Sequence, residues 1–256
     1  MQAENFILDD YLQRIGYQPD AARNLATLRG LMRAQLFSVP FENLDVQAGK
    51  IVSMVAEDIV EKIVYRKRGG YCYEVNGLFA MALAALGFEY TLIGARPMFY
   101  PTRRAKTHMV LAVHLEGQDW LCDLGFGSFG IRAPLSLSSG DQVIQQDDDF
   151  FKIVKADEHN FVMQALVDNQ WLSQYAFDLY PHEWIDFYPA NFFNSKHPDT
   201  IFVQKLLVIK HSEQGRQILL GNRLKSVEKG VTSVRDLSDD EVAESLSSLF
   251  GLRLEP

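Results

Sequence analysis

The stretch RGGYCYEVNGLF, residues 68–79, holds one of the two cysteines in a chain of 256 residues. Cys72 follows a Gly-Gly pair and opens an apolar stripe, Val75, Leu78, Phe79, Ala82, Leu83 and Leu86, at the three-and-four spacing of a helix. The glycines suit a tight turn that lets backbone approach a ligand closely. A thiol in the first turn of a helix feels the positive end of the helix dipole, which favours the thiolate. A nucleophile is therefore expected at a loop-to-helix junction. Most free cysteines are small buried hydrophobes, so position alone leaves both readings open.

On the N-terminal side the pattern is helical. Leu8, Tyr11, Leu12 and Ile15 form one stripe, ended by Gly16. Pro19 and Asp20 begin a second helix through Leu25, Leu28, Leu31, Met32 and Leu36, which stops before Pro40. Val39–Asp45 is a turn-rich connector, a third helix covers about 54–66, and Cys72 opens the fourth.

On the C-terminal side the period changes at Gly87 from helix to strand. Tyr90–Pro97 is a strand, followed by a loop with Pro97, Pro101, Arg103, Arg104 and Lys106. In His108–Leu115, His108, Val110, Ala112 and His114 share one face. Residues 116–119 read as a hairpin turn, after which Trp120–Leu124 returns with Leu121 and Asp123 on one face. Further strands near 142–155, 160–167 and 170–178 suggest a compact barrel or sandwich. Beyond Pro181, Phe187–Asn194 is a short helix or loop. Thr200–Lys210 reads as a strand, Gln217–Leu220 as another, and Asp239–Phe250 as a helix capped by Ser238.

The totals bound the function. Hydrophobic content of 47% and charged content of 23% are those of an ordinary globular protein. A net charge of −8 argues against nucleic acid as partner. No apolar run reaches membrane-span length, and the opening MQAENFILDDYL lacks a basic-then-apolar leader. Two cysteines then suggest a reducing cytoplasm. Six histidines without HExxH-like spacing, and so few cysteines, point away from a metal site. Asp147-Asp148-Asp149 reads as a solvated turn.

A nucleophilic Cys72 needs a base, and the base an orienting group. His108 begins a strand directly after a basic loop. Asp123 lies among apolar residues, where a buried carboxylate needs a partner. In a simple hairpin, however, Asp123 falls opposite Val110 or Ala112 rather than His108, so a bulge, strong twist or other pairing is expected if they meet. The following Gly125-Phe126-Gly127-Ser128-Phe129-Gly130 lacks both the Walker ending and the helix of a dinucleotide fingerprint.

Together these pieces resemble the arylamine N-acetyltransferase family. Residues 68–79 match its signature Arg-Gly-Gly-x-Cys-x-Glu-x-Asn-x-x-Phe at every fixed position. VPFENLD (39–45), Thr107-His108-Met109 and Asp123-Leu124-Gly125-Phe126-Gly127 resemble further family segments, and NFFNSKHPDTIF (191–202) does so less closely. The resemblance implies an α+β fold in three parts: an N-terminal helical bundle (1–86), a central β-barrel (87–180) and a C-terminal α/β lid (181–256). It implies a papain- or transglutaminase-like Cys72-His108-Asp123 core, with the last two in contact. It places Phe41, Phe126 and Phe202 in the acceptor pocket, and Thr107, Phe126, Gly127 and Ser128 near acyl-CoA. Arg68 and Glu74 are expected to fix the loop before Cys72 by pairing.

The implied reaction is ping-pong acetyl transfer from acetyl-CoA, through an acetyl-cysteine, to the nitrogen of arylamines, arylhydrazines or N-hydroxyarylamines. The implied partners are small molecules, with no nucleic acid, membrane or metal. The rival use of the same triad is an amide synthase or thiol hydrolase with another acyl donor. A rival of another class is a non-catalytic ligand-binding protein on the same fold.

Overall fold

The computed structural model describes residues 1–127 and 129–252. Helix α1 (Leu8–Ile15) buries Tyr11 and Ile15 and ends at Gly16, whose φ of 69° is the left-handed conformation of a C-cap. Helix α2 (Leu25–Ser38) starts later than Pro19 and Asp20 suggest, because Asn24 supplies the cap by accepting the Thr27 N–H at 2.9 Å. Then come β1 (Phe41–Glu42), α3 (Leu44–Gln47) and α4 (Ala56–Val60), which widens into a π-turn at Glu61–Tyr65. Helix α5 (Cys72–Ala85) is buried on every side from Cys72 to Leu83 and is the central helix of the core. Buried Gln35 ties α1 and α2 to it, accepting from the Tyr11 hydroxyl and donating to the Val75 carbonyl, both at 2.8 Å.

The strands that follow are β2 (Glu89–Pro97), β3 (His108–Leu115), β4 (Gln118–Cys122), β5 (Leu135–Ser136), β6 (Ile144–Gln146), β7 (Asp149–Lys155), β8 (Asn160–Val167) and β9 (Gln170–Asp178). Among the described residues they form one antiparallel sheet, in the order β5-β4-β3-β2-β9-β8-β7-β6. The sheet curls into a nearly closed barrel. Its two edges meet through the Gln146 side chain, which accepts from the Arg132 and Ala133 N–H groups and donates to the Ala133 carbonyl. Strand β3 packs against α5 and is buried except at His114.

Beyond the barrel lie α6 (Tyr188–Lys196), α7 (Ile201–Gln204), β10 (Leu207–Ser212), β11 (Gly215–Leu220), β12 (Arg223–Glu228), β13 (Val231–Asp236) and α8 (Asp239–Ser248), with Ser238 capping α8 as expected. A second antiparallel sheet runs β1-β10-β11-β12-β13, so a strand from the N-terminal region forms its edge. The expected continuous strand from Thr200 to Lys210 is broken. Its first half winds into α7, and the Asn43 side chain holds the exit by donating to the Phe202 and Lys205 carbonyls and accepting the Leu207 N–H. That tertiary hold outweighs the β-branched pattern of Ile201 and Val203. Strands β12 and β13 were not anticipated: β13 is exposed along its whole length and carries no apolar alternation. Among the described residues, no helix is long and apolar enough to cross a membrane.

Candidate active site

Two sequence motifs meet just before Cys72. Gly70 donates to the Pro40 carbonyl and accepts the Glu42 N–H, so the 69–70 turn is laid against the Val39–Asp45 connector. A Cβ on Gly69 would come within 2.0 Å of the Pro40 carbonyl oxygen, and only glycine permits that approach. Glu74, in the first turn of α5, accepts the Tyr71 N–H at 3.0 Å. Arg68 and Glu74 do pair, but not with each other: Arg68 bonds Glu42 at 2.7 Å, and Glu74 bonds Lys62, also at 2.7 Å. Burial, opposed by Lys62 and reinforced by Glu42, raises the Glu74 carboxyl to about 7. Burial pulls the Lys62 ammonium down, but Glu74, Glu42 and Asp45 together carry it above its ordinary value.

His108 begins β3 and Asp123 follows directly on β4. The register is that of a plain hairpin, with Leu111 opposite Cys122, which sets Asp123 opposite Val110. Even so, His108 Nε2 lies 2.8 Å from Asp123 Oδ2. No bulge intervenes between β3 and β4. The two residues are diagonal neighbours on one face of the sheet, which long side chains span. Neither the bulge nor the different pairing that was expected is present.

Asp123 is held from behind. Its Oδ1 accepts from the Gly125 N–H at 2.9 Å and from Asn76 Nδ2 at 3.2 Å. Asn76 lies one turn along α5 from Cys72. It also donates to the Met109 carbonyl at 2.7 Å and accepts the Leu124 N–H at 2.9 Å. One amide thus locks the helix of the cysteine to the strands of the histidine and the aspartate. Gly125 closes the packing: a Cβ there would lie 2.5 Å from the Cys72 Cα. Two asparagines of α6 brace the opposite side. Asn191 Oδ1 accepts from the Tyr71 hydroxyl, and Asn194 Nδ2 donates to the Thr107 carbonyl at 3.0 Å. The residues preceding Cys72 and His108 are therefore both held by one helix. Sequence reasoning assigned no role to Asn76, Gly125, Asn191 or Asn194. The available signal was Asn76 itself, a polar side chain in an otherwise apolar helix face.

Burial pushes the Cys72 thiol up, and the charge of Asp123 adds to this. The N–H groups of Met109 and Tyr73 oppose it without reversing it. Desolvation therefore works against the helix dipole at this thiol.

Cys72, His108, Thr107, Phe126 and Phe202 line one small cavity of ≈ 50 Å³. Phe41, Phe126 and Phe202 line a second, of ≈ 610 Å³. Phe126 stands edge-on to the His108 ring at 5.2 Å between centroids, and Phe41 lies 5.9 Å from Phe202. Gly127 lines neither cavity; its carbonyl accepts from His211 Nε2 at 3.1 Å. Ser128 lies outside the described residues.

Burial, aided by Arg132 and Arg216, lowers His211 to about 3. Its imidazole stays neutral in the folded protein while the unfolded chain takes up a proton below about 6.5. Stability from this group is complete above that pH and declines as pH falls toward the folded value. By pH 5 the loss is about 2 kcal/mol. Thermal melts at pH 7 and pH 5 should therefore show a smaller drop for His211→Gln, which keeps a donor for Gly127, than for the parent protein. An equal drop would show that His211 does not titrate as its burial requires.

A family model described as N-acetyltransferase matches residues 24–256. The arylamine N-acetyltransferase of Mycolicibacterium smegmatis is 34% identical over 256 residues, spanning 96% of this chain and 92% of the relative. The solved arylamine N-acetyltransferase of Mycobacterium abscessus superposes with a TM-score of 0.92 at 31% identity, covering 98% of this chain and 92% of that one. The Mycobacterium marinum arylamine N-acetyltransferase in complex with CoA superposes with a TM-score of 0.89 at 34% identity, over 96% and 92% of the two chains.

Proposed function

The chain belongs to the arylamine N-acetyltransferase family, and from that premise we propose that Cys72, His108 and Asp123 act as nucleophile, base and orienter. The enzyme transfers the acetyl group of acetyl-CoA to the nitrogen of arylamines. One observation carries the assignment of residues: the buried 2.8 Å His108–Asp123 contact, beside a cavity that Cys72 and His108 both line.

With Nε2 donating to Asp123, His108 keeps Nδ1 as its basic nitrogen. His108 Nδ1 takes the proton of Cys72, either as sulfur attacks the thioester carbonyl or beforehand, as a resting thiolate-imidazolium pair. Asp123 holds the tautomer and stabilises the imidazolium that forms. The Cys72 N–H, at the start of α5 with no carbonyl behind it, is the oxyanion donor we assign. CoA leaves as its thiol, taking the proton from His108, and acetyl-cysteine remains. The amine nitrogen attacks this thioester and His108 accepts its proton. The C–S bond breaks, and the reprotonated thiol is regenerated with the acetamide. Arylhydrazines and N-hydroxyarylamines enter at the same step. Phe41, Phe126 and Phe202 take the aromatic ring, while Thr107 and Phe126 lie along the CoA path. We place the enzyme in the cytoplasm, where the free thiols of Cys72 and Cys122 stay reduced.

Intact-mass spectra with acetyl-CoA, before and after adding a simple arylamine, test this. A single acetyl adduct that maps to Cys72 and is discharged by the amine is expected. An adduct elsewhere, or none, overturns the assignment. An adduct lost equally fast without amine would mark a hydrolase.

A further inference from the structure

Five charged side chains meet beneath the loop that carries Cys72, and the reaction as derived uses none of them: Glu42, Asp45, Lys62, Arg68 and Glu74. Lys62 lies at their centre. Its Nζ is 2.6 Å from Asp45, 2.7 Å from Glu74 and 3.7 Å from Glu42. Arg68 serves the other side, 2.7 Å from Glu42 and 3.6 Å from Asp45. Among the described residues, Lys62 is thus the cation bonded to Glu74. Glu74 divides its two oxygens. Oε1 accepts from Lys62, while Oε2 accepts the Tyr71 N–H at 3.0 Å and lies so close to Gly70 that a Cβ there would come within 2.9 Å of it. The carboxylate therefore props the two residues before the nucleophile. Lys62 itself stands in the π-turn Glu61–Tyr65, a geometry that occurs mostly at functional sites. Glu61 and Tyr65 stay exposed in that turn, while the Lys62 side chain is only 14% exposed.

Resting on the transfer reaction above, we infer that Lys62 is a positioning residue for the nucleophile: by holding Glu74 it fixes the chain entering α5, and with it the Cys72 sulfur and the N–H assigned to the oxyanion. Lys62 lines neither cavity, so it acts through Glu74 and not on a reactant. The charge count gives the reason an ammonium is needed there. Three carboxylates face two cations, and Glu42 and Glu74 are almost wholly buried. Lys50 adds its charge at Asp45, and Tyr71 and Cys72 are the further titratable groups facing Glu74. Without Lys62, the three carboxylates face Arg68 alone. A buried carboxylate deprived of its cation takes up a proton. Glu74 is the one to do so, since burial already raises it to about 7 with Lys62 in place. Once protonated it is a weaker acceptor for the Tyr71 N–H, and the prop beneath residues 70 and 71 slackens. The carboxylate form is present above that value and lost as pH falls through it, so nucleophile positioning is lost in the same direction.

The experiment follows acetyl-Cys72 formation by intact mass as a function of pH, with the full chain and acetyl-CoA. The parent rate should fall as pH drops below about 7, where Glu74 takes up its proton. Lys62→Met should lower the maximal rate at pH 7 about 10- to 100-fold. It should also move the acidic limb up by about one pH unit or more, so that much of the rate returns at pH 9. The acetyl-CoA concentration giving half the maximal rate should not change. Lys62→Arg keeps the charge and should recover most of the rate, with the limb back toward its parent position. Glu74→Gln keeps an acceptor for the Tyr71 N–H and leaves Glu42 and Asp45 facing Lys62 and Arg68. It should stay folded and lose the limb, which decides the matter even if Lys62→Met does not fold. Three results overturn the inference and leave the transfer reaction standing. One is a Lys62→Met protein that forms the adduct at the parent rate at pH 7. Another is a loss equal at every pH that Lys62→Arg does not restore, the mark of a merely structural lysine. The third is an acidic limb unchanged in Glu74→Gln. No adduct in the parent protein would overturn the transfer reaction and this role with it.

Discussion

Replacing Cys72 with alanine should take arylamine acetylation down to the uncatalysed rate, while Cys122→Ala keeps most of it. The two thiols resemble each other in isolation, each buried and each pushed up by that burial. They differ in what surrounds them. Cys122 closes β4 opposite Leu111, inside the sheet, and lines neither cavity. Cys72 begins α5, shares a cavity with His108, and has Asn76 and Gly125 arranged to bring that histidine and its aspartate alongside. Without Sγ no acetyl-enzyme forms, so both halves of the reaction stop. Each substitution removes one buried sulfur and should cost about 1 kcal/mol, leaving a folded protein whose melting point checks the comparison. Steady-state acetylation of one arylamine by the two variants decides the matter. Residual activity above a few per cent in Cys72→Ala, or its loss in Cys122→Ala, would reverse the assignment.

What the sequence made legible was local. The α5 stripe, the hairpin and the Ser238 cap each depend on neighbours within one or two turns, and the structure has all three, with the turn tightened to residues 116–117. The hairpin register was legible as Asp123 opposite Val110 or Ala112; what was missing was that a diagonal pair meets without a bulge or another pairing. The burial of Cys72 was hidden for a related reason. A dipole is visible in a helix start, but the desolvation that opposes it depends on the burial of α5, a property of the whole fold. The winding of Ile201–Gln204 was hidden likewise, since Asn43, which holds it, is remote in sequence. The bracing residues share this character. Asn191 and Asn194 act on Tyr71 and Thr107 from a distant helix, and no spacing rule connects them.

Asp123→Asn should slow acetyl-cysteine formation by about 10³ to 10⁴ while leaving the protein folded. The reason lies in how the carboxylate is already used. Oδ1 accepts from the Gly125 N–H and from Asn76 Nδ2, and only an oxygen can replace it there. The new amide must keep its oxygen on that side, which turns its NH₂ toward His108 Nε2. A donor facing Nε2 makes that nitrogen the acceptor and drives the ring proton to Nδ1, the nitrogen that must receive the thiol proton. The base is then blocked by its own tautomer, and the imidazolium also loses its counter-charge. Because both bonds to Oδ1 survive, the melting temperature should change by only a few degrees. The loss should appear in the rate of acetyl-cysteine formation under saturating acetyl-CoA rather than in acetyl-CoA affinity. Asn76→Ala supplies the contrast. With that donor gone, only the Gly125 N–H still holds Oδ1, so its loss should add little to the Asp123→Asn defect, while alone it should leave the histidine with its proper tautomer and a smaller deficit. A loss under tenfold in Asp123→Asn would mean that the His108–Asp123 contact does not set the tautomer. The 2.8 Å bond would then be structural, and the base would be oriented by its packing against Phe126 and Tyr175.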